Sequence, residues 1–432
     1  MSILRARVLT PDPDGPGESP ITWLDDAVVH IEGGRIVSVD AYTDQDYDDD
    51  IRPDVLLPGF VDSHLHYPQT RIIGSASGPL LQWLQLSTFP EESRFSDNAH
   101  AHAIAQAFTA CLAAAGTTLS MVYASAHYQA TDTLFHAMDQ RGLRCIAGPV
   151  LMDRDSPPAL TVPVDPAMHA LERLIDDWHG HDDRLQVAVI PRFALSCTSE
   201  MMARAGRLAN DRGLWVSTHL SENTSECEAA CSIFGTHDYL EIYERAGMVH
   251  ERSVYAHCIH MSEDEWRRFA DAKATVAHCP DSNAFLGSGH MPTQTVLDHG
   301  IPLTIGTDVA GGRSFRIPKI LSSAYDNALV TGTTIAPATL LWWGTLSGAR
   351  ALGHSHVGAI AAGFEADMVQ IEVPAWAHTA EDVLAWTLFY ADAPAPRRTW
   401  VRGQLVWDRA AHSGPFPWSD LELHKPDLPT PS

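Results

Sequence analysis

Eight short apolar runs between residues 56 and 312 constrain the fold of this chain most strongly, because stretches rich in Ala, Leu and Arg separate them. Buried parallel strands are near-continuous apolar runs, and their alternation with helical stretches is typical of β/α units. The runs are LLPGFVDSHLH, TTLSMVYA, RCIAGPVL, LQVAVIPRF, LWVSTHLSE, SVYAHCIHM, ATVAHCPDSN and PLTIGTDVAGG. Eight such units close a (β/α)8 barrel. The sequence therefore predicts an α/β protein with a TIM barrel over residues 56–355.

The two ends of the chain resemble each other more than either resembles the middle. Residues 1–55 contain the alternating runs ILRARVL and AVVHIEGGRIVSV, in which the pair Gly33-Gly34 is placed as in a hairpin turn. Similar β-like sequence returns later, in HVGAIAAGFEADMVQIEV and RRTWVRGQLVWD. We expect residues 1–55 and 356–415 to form one small β domain beside the barrel, and the Pro-rich residues 416–432 to form a disordered tail.

The composition excludes several classes of partner. A formal net charge of −25 argues against binding to nucleic acid or to anionic membranes, which requires clustered Lys and Arg. No segment approaches the roughly eighteen uninterrupted apolar residues of a membrane span, and the first residues lack the pattern of a secretory signal. The seven cysteines form no CxxC pair, so neither a disulfide framework nor a thiolate zinc site is indicated. We therefore expect a cytoplasmic protein that acts on a small molecule.

Polar side chains cluster at the ends of the predicted strands, where the active sites of such barrels lie. His64 and His66 end the first run, and residues two apart in a strand point to the same side. The full set is His64, His66, His219, Glu222, His257 and Asp308. The chain has 23 histidines, but chance would rarely place so many at four strand ends. Neutral imidazoles with a carboxylate suit zinc or a similar ion.

Seven motifs follow one another along most of the chain, from about residue 55 to 365. They are LLPGFVDSHLHYPQTRIIG, TFPEESRF, PRFALSCTSE, THLSEN, AHCIH, HCPDSNAFLGSG and GTDVAGG. In this order they resemble the amidohydrolase superfamily, and particularly its guanine deaminase family. The HxH motif is shared by the whole superfamily, whereas HYPQ with TFPEE and PRF is far more restrictive.

The resemblance implies a role for each candidate residue. The metal ligands would be His64, His66, His219 and Asp308. Glu222 would transfer protons, while His257 and Asp308 would orient the attacking oxygen. The residues in contact with the substrate would be Gln69, Arg192, Phe193, His219, Glu222 and Asp308.

The number of metal ions follows from the lysines. Superfamily members with two metals use a carboxylated lysine at the end of the fourth strand. The only lysines here are Lys273, Lys319 and Lys425, and the fourth run, LQVAVIPRF, contains none. We therefore expect one ion per subunit, Zn2+ with Fe2+ as an alternative.

Together these residues predict hydrolysis of guanine to xanthine and ammonia by a hydroxide bound to a single metal ion. Another aminopurine, pterin or triazine (ammeline-like) deaminase of the same superfamily stays open, because such enzymes differ in ring contacts rather than in ligands. An inactive barrel that serves as a binding or assembly module is disfavoured, since every ligand and Glu222 are present. The resemblance also implies a homodimer.

Overall fold

The computed structural model describes residues 1–14 and 21–412. Its strands, in chain order, are β1 Ser2–Pro11, β2 Ile21–Glu32, β3 Arg35–Ala41, β4 Asp49–Pro58, β5 Phe60–His66, β6 Thr117–Tyr123, β7 Arg144–Gly148, β8 Val150–Leu151, β9 Leu185–Pro191, β10 Trp215–Leu220, β11 Ser253–His257, β12 Thr275–His278, β13 Leu303–Ile305, β14 Met368–Ile371, β15 Arg398–Val401 and β16 Gln404–Asp408. The tail predicted for residues 416–432 lies outside the described residues.

The α-helices are α1 Leu80–Trp83, α2 Phe89–Ser93, α3 Asn98–Ala115, α4 Tyr128–Arg141, α5 Val164–Trp178, α6 Ser199–Arg212, α7 Thr224–Phe234, α8 Leu240–Arg245, α9 Glu263–Asp271, α10 Pro280–Phe285, α11 Thr293–Asp298, α12 Ile317–Val330, α13 Pro337–Trp342, α14 Gly348–Ala351 and α15 Ala380–Phe389. Short 3-10 helices lie at Tyr67–Ile72, Arg94–Ser96 and Ala194–Ser196, and π-helical turns at Leu84–Thr88 and Trp343–Ser347. No helix among these described segments is long and apolar enough to cross a membrane.

Eight parallel strands form the barrel, in the order β5, β6, β7, β9, β10, β11, β12, β13. The first and last strands meet through backbone hydrogen bonds just beyond β13. The N–H of Asp308 donates to the carbonyl oxygen of His64 (2.8 Å), and the N–H of His66 donates to that of Val309 (2.9 Å). Each strand coincides with one of the eight apolar runs, so the predicted (β/α)8 barrel is confirmed.

Local sequence signals set where the barrel elements begin and end, as helix α3 illustrates. The side chain of Asp97 accepts a hydrogen bond from the N–H of Ala99 at the start of the helix. Gly116 ends it with φ +84°, a left-handed conformation that glycine adopts without steric cost. A Cβ atom at Gly116 would also lie 2.8 Å from Val369 Cγ1 of β14. The glycine therefore allows α3 to turn directly into β6 against the second sheet.

The second sheet contains strands from both ends of the chain, in the order β16-β15-β14-β4-β1-β2-β3. Strands β1 and β4 are parallel, and the other pairs are antiparallel. The β domain built from both ends is therefore confirmed. Its limits at residues 55/56 and 355/356 stay a prediction, although β4 runs on to Pro58 before β5 begins.

Buried charges join this sheet to the amino end of the barrel. Arg144, the first residue of β7, donates from Nε to Oδ2 of Asp367 (2.8 Å) and also pairs with Glu365. The backbone N–H of Arg402 donates to Oδ1 of Asp367 (2.9 Å), and its Nε lies 3.3 Å from Oε2 of Glu365. We call these four residues the junction cluster. Arg144 and Asp367 are buried, so each charge has a partner where water is excluded.

Candidate active site

The carboxyl ends of three barrel strands bring the four predicted ligands together. His64 and His66 lie at the end of β5, His219 lies in β10, and Asp308 follows β13. Their potential ligand atoms all lie within 4.8 Å of one another. Oδ1 of Asp308 is 3.2 Å from Nε2 of His64 and 3.4 Å from Nε2 of His66.

This cluster fits a metal ion on its own chemistry. Neither ring nitrogen of His64 has a hydrogen-bond partner, although both are buried. Nε2 of His219 lies only 3.3 Å from Nε2 of His66. Buried polar atoms without partners are costly, and a shared cation would satisfy them. The ring of His219 is also fixed from behind, because its Nδ1 lies 2.5 Å from the carbonyl oxygen of Arg192 and donates to it.

Burial sets the protonation of these groups. It lowers the pKa of His66 to about 4, lowers that of His64, and lowers that of His219 well below its ordinary value. Burial alone would raise the pKa of Asp308, but the neighbouring imidazoles of His64 and His66 hold it well below the usual range. The result is three neutral imidazoles and an ionised carboxylate, the forms in which these side chains bind metal.

Glu222 lies beside the cluster, two residues beyond β10, and is buried. Its Oε1 accepts a hydrogen bond from Oγ of Ser288 (3.1 Å), and its Oε2 is 3.5 Å from Nε2 of His257. Burial, followed by the negative charge of Asp308, raises the pKa of Glu222 to about 8. A carboxyl group with this pKa can carry a proton at neutral pH and give it to a substrate.

His257 is held with one nitrogen toward the site. Its Nδ1 lies 2.8 Å from Oδ1 of Asn283 and donates to it, which leaves Nε2 facing Glu222 and Asp308. The backbone is strained at three of these strand ends, because Ser221, His257 and Asp308 have φ of 51°, 72° and 48°. Residues other than glycine rarely adopt such angles, and their clustering is typical of functional sites.

A pocket opens directly beside the cluster, as expected of a site for a small ligand. It is lined by His66, Gln69, Leu80, Trp83, Leu84, Arg192, Phe193, His219, Glu222, Leu286 and Asp308. Every predicted substrate-contact residue is therefore on its wall. His64 and His257 lie behind the wall, within the group of buried strand-end residues.

Glu92 is a residue that our sequence interpretation missed. One of its oxygens, Oε2, accepts from Nη1 of Arg192 (2.6 Å), and the other, Oε1, accepts from Nε2 of Gln69 (3.0 Å). The available signal was the helical spacing in the TFPEE motif, where Phe89 and Glu92 stand three residues apart. The apolar wall from Leu80, Trp83 and Leu84 was also missed, because no strand end marks that segment.

Comparison with known proteins agrees with this geometry. Residues 55–406 match the Amidohydrolase family. The guanine deaminase of Escherichia coli (strain K12) is 35% identical over 372 residues, which are 83% of this chain and 84% of the relative. A probable guanine deaminase of Deinococcus radiodurans is 39% identical and covers 84% of this chain and 86% of its own.

Among solved structures, guanine deaminase from C. acetobutylicum with bound guanine in the active site has a TM-score of 0.88 and 26% identity, and the match covers 94% of this chain and 100% of that chain. Agreement in fold and in sequence over this length leads to one assignment. The chain belongs to the amidohydrolase family and, within it, to the guanine deaminase family.

Proposed function

We propose that this protein is a guanine deaminase that converts guanine and water to xanthine and ammonia. One observation carries the proposal: a single pocket joins the His and Asp cluster, the buried Glu222, and the donors Gln69 and Arg192. The His and Asp cluster suits a metal ion, Glu222 would supply a proton, and Gln69 and Arg192 would recognise a polar ring. The relatives named as guanine deaminases support the same substrate.

The metal would be held by His64, His66, His219 and Asp308, as one zinc ion per chain with Fe2+ as the alternative. When bound, it would lower the pKa of a water molecule to about 7 and so supply a nucleophile at neutral pH. A single ion is supported by strand β9, Leu185–Pro191, which contains no lysine. Lys273 and Lys319 are both exposed to solvent.

Glu222 would move the protons of the reaction. Its protonated carboxyl group would donate to the ring nitrogen next to the carbon that carries the amino group, which makes that carbon more electrophilic. Nε2 of His257 and Asp308 would orient the attacking water and accept its proton. The water oxygen would then form a bond to carbon, and the proton taken from the water would pass through Asp308 to the amino group. The C–N bond would break and release ammonia, while the proton left on the new hydroxyl group would return to Glu222 as the carbonyl group of xanthine forms.

Arg192, Gln69 and Phe193 would recognise the ring. All three side chains are buried, and all three line the pocket. The N–H groups of Arg192 and Gln69 would donate to the carbonyl oxygen of guanine, while Phe193 contacts the flat ring. A site built to donate to an oxygen rejects analogues that lack it, because its own donors are then left buried and unpaired.

Ammonia release from a panel of aminopurines, pterins and triazines tests the proposal. We expect guanine to be the best substrate, and adenine and 2-aminopurine to react far more slowly. Arg192→Ala should lower the rate of guanine deamination and reduce the difference in rate between guanine and these two analogues. Turnover of a pterin or triazine without turnover of guanine would contradict the proposal and favour a different amidohydrolase.

A homodimer and a cytoplasmic location are further parts of the proposal that rest on the family resemblance. Light scattering of the purified protein measures the first. Fractionation of cells that express the native gene measures the second.

A further inference from the structure

We infer that Glu92 is a positioning residue that fixes the hydrogen-bond pattern of the pocket and thereby selects the edge of the ring that binds. The inference rests on the proposed function, which assigns Gln69 and Arg192 to the substrate. Glu92 itself is not among the described residues that line the pocket, so it acts through these two side chains.

The carboxylate of Glu92 sets the orientation of the Gln69 amide. Oε1 of Gln69 accepts from the N–H of Ala310 (3.1 Å), and Nε2 donates to Oε1 of Glu92 (3.0 Å). Both ends of the amide are thus assigned, although an amide can turn over when its partners allow it. Because Glu92 accepts and cannot donate when ionised, it requires the NH2 group on its own side. One N–H of Gln69 then remains for another partner.

The same carboxylate of Glu92 also fixes the position of the Arg192 side chain. Nη1 of Arg192 donates to Oε2 of Glu92 (2.6 Å), and both side chains are only 3% exposed. The guanidinium carbon lies 5.4 Å from the centre of the Phe89 ring. Phe89 and Glu92 are both in α2, three residues apart, so one helix face supplies both contacts. A buried guanidinium needs such a partner, and the partner determines which N–H groups stay available.

The pocket therefore presents donors on this wall, from Arg192 and from Gln69. Such a wall binds an edge with acceptors, such as a carbonyl oxygen beside a ring nitrogen. It opposes an edge that carries an amino group, because donors then face donors. Glu92 would be the residue that keeps the wall in this donor-only state.

The test compares Glu92→Gln with a matched control, Glu91→Gln. Glu91 is the preceding residue of α2 and is equally buried, but it pairs with His100 (3.1 Å) and Arg94 (3.3 Å) instead of the pocket residues. The readout is inhibition of guanine turnover by hypoxanthine, which keeps the carbonyl oxygen and lacks the reacting amino group, and by purine, which lacks both.

We expect Glu92→Gln to weaken inhibition by hypoxanthine about 10- to 100-fold, the range for hydrogen bonds to charged groups, and inhibition by purine less than about threefold. Guanine should show the loss in KM more than in kcat. Glu91→Gln should leave the ratio of the two inhibition constants unchanged. In an Arg192→Ala background the effect of Glu92→Gln should shrink, since the two residues act as a unit.

Two results would overturn the inference in different ways. If the wild-type enzyme deaminates guanine but Glu92→Gln weakens hypoxanthine and purine equally, Glu92 only supports the fold. If the wild-type enzyme ignores guanine, the proposed function fails and takes the inference with it. Should Glu92→Gln not fold, Glu92→Asp keeps the charge with a shorter reach, and an unchanged ratio in that variant also rejects the idea.

Discussion

The two ends of the barrel bury polar groups in opposite ways. At the amino end, the junction cluster pairs Arg144 with Asp367 and Glu365. At the carboxyl end, both nitrogens of His64 and Nε2 of His257 are buried without a hydrogen-bond partner. Buried polar atoms are normally satisfied, and exceptions call for an explanation. The paired end stabilises the fold, whereas the unpaired end keeps its binding capacity for a ligand.

The largest expected effect concerns a group at the unpaired end. Glu222→Gln removes the acid but keeps the size of the side chain, so the fold and the metal content should stay unchanged. We expect kcat to fall by more than the roughly 10²–10⁴-fold typical of one general acid, because the proposed mechanism uses Glu222 in more than one proton transfer. Assays of xanthine formation measure kcat, and elemental analysis measures the metal content. A variant with near wild-type kcat would place the proton transfer elsewhere, first on His257.

A substitution at the paired end should change the stability of the fold and leave catalysis unchanged. Arg144→Met leaves the buried Asp367 and the partly buried Glu365 with less compensation. Removal of one partner from a buried ion pair costs about 3–5 kcal/mol. Urea unfolding measures this loss. The folded fraction should keep the kcat/KM of the wild type. A loss of kcat/KM without a loss of stability would contradict the separation between the two ends.

In the metal-free protein, a fall in pH should destabilise the unpaired end of the barrel. Burial lowers the pKa of His66 to about 4, below its value of about 6.5 in the unfolded chain, so the unfolded state binds the proton first. His66 then contributes stability that is present above pH 6.5 and is lost as the pH falls toward 4. We expect the stability of the metal-free wild type relative to metal-free His66→Gln to fall by roughly 1.4 kcal/mol for each pH unit below 6.5. A pH-independent difference would reject this account.

The smallest effect is expected for an ion pair that belongs to neither end. Arg267 and Asp264 pair on the surface of α9 with side chains that are 62% and 60% exposed. Solvent screens such pairs, so Arg267→Ala should leave the free energy of unfolding close to that of the wild type. Urea unfolding of Arg267→Ala and of Arg144→Met under the same conditions compares the two losses of stability. A loss comparable to that of Arg144→Met would mean that burial is not the deciding factor.

The barrel was predictable because its signal is periodic and local. Each apolar run coincides with a strand. Residues at or just beyond the carboxyl ends of the strands, such as His257 and Asp308, meet because parallel strands end at the same edge. The order of the second sheet was not predictable in the same way. Strand β4 lies between β14 and β1, and its pairing with β14 depends on how the chain ends return to each other.

The role of Glu92 could not be predicted for a different reason. A pair of acidic residues in a short helix is usually exposed, and the sequence does not state that both Glu91 and Glu92 are buried. Their different partners depend on how α2 packs against the 3-10 helix Tyr67–Ile72 and against Arg192, which follows β9. The positive φ angles at Ser221 and Asp308 are equally hidden, since neither residue type requires them.

The position of β4 has a consequence for the order in which the protein is made. Synthesis proceeds from the amino end, so β4 and the whole barrel exist before β14, which begins at Met368. Until then one edge of β4 has no partner, and Arg144 lacks Asp367. An open strand edge invites pairing with other chains. A copy that stops before residue 365 therefore lacks β14, Glu365 and Asp367, so it retains an open strand edge and a buried Arg144 without these acidic partners. Such incompletely folded chains are recognised by chaperones and proteases.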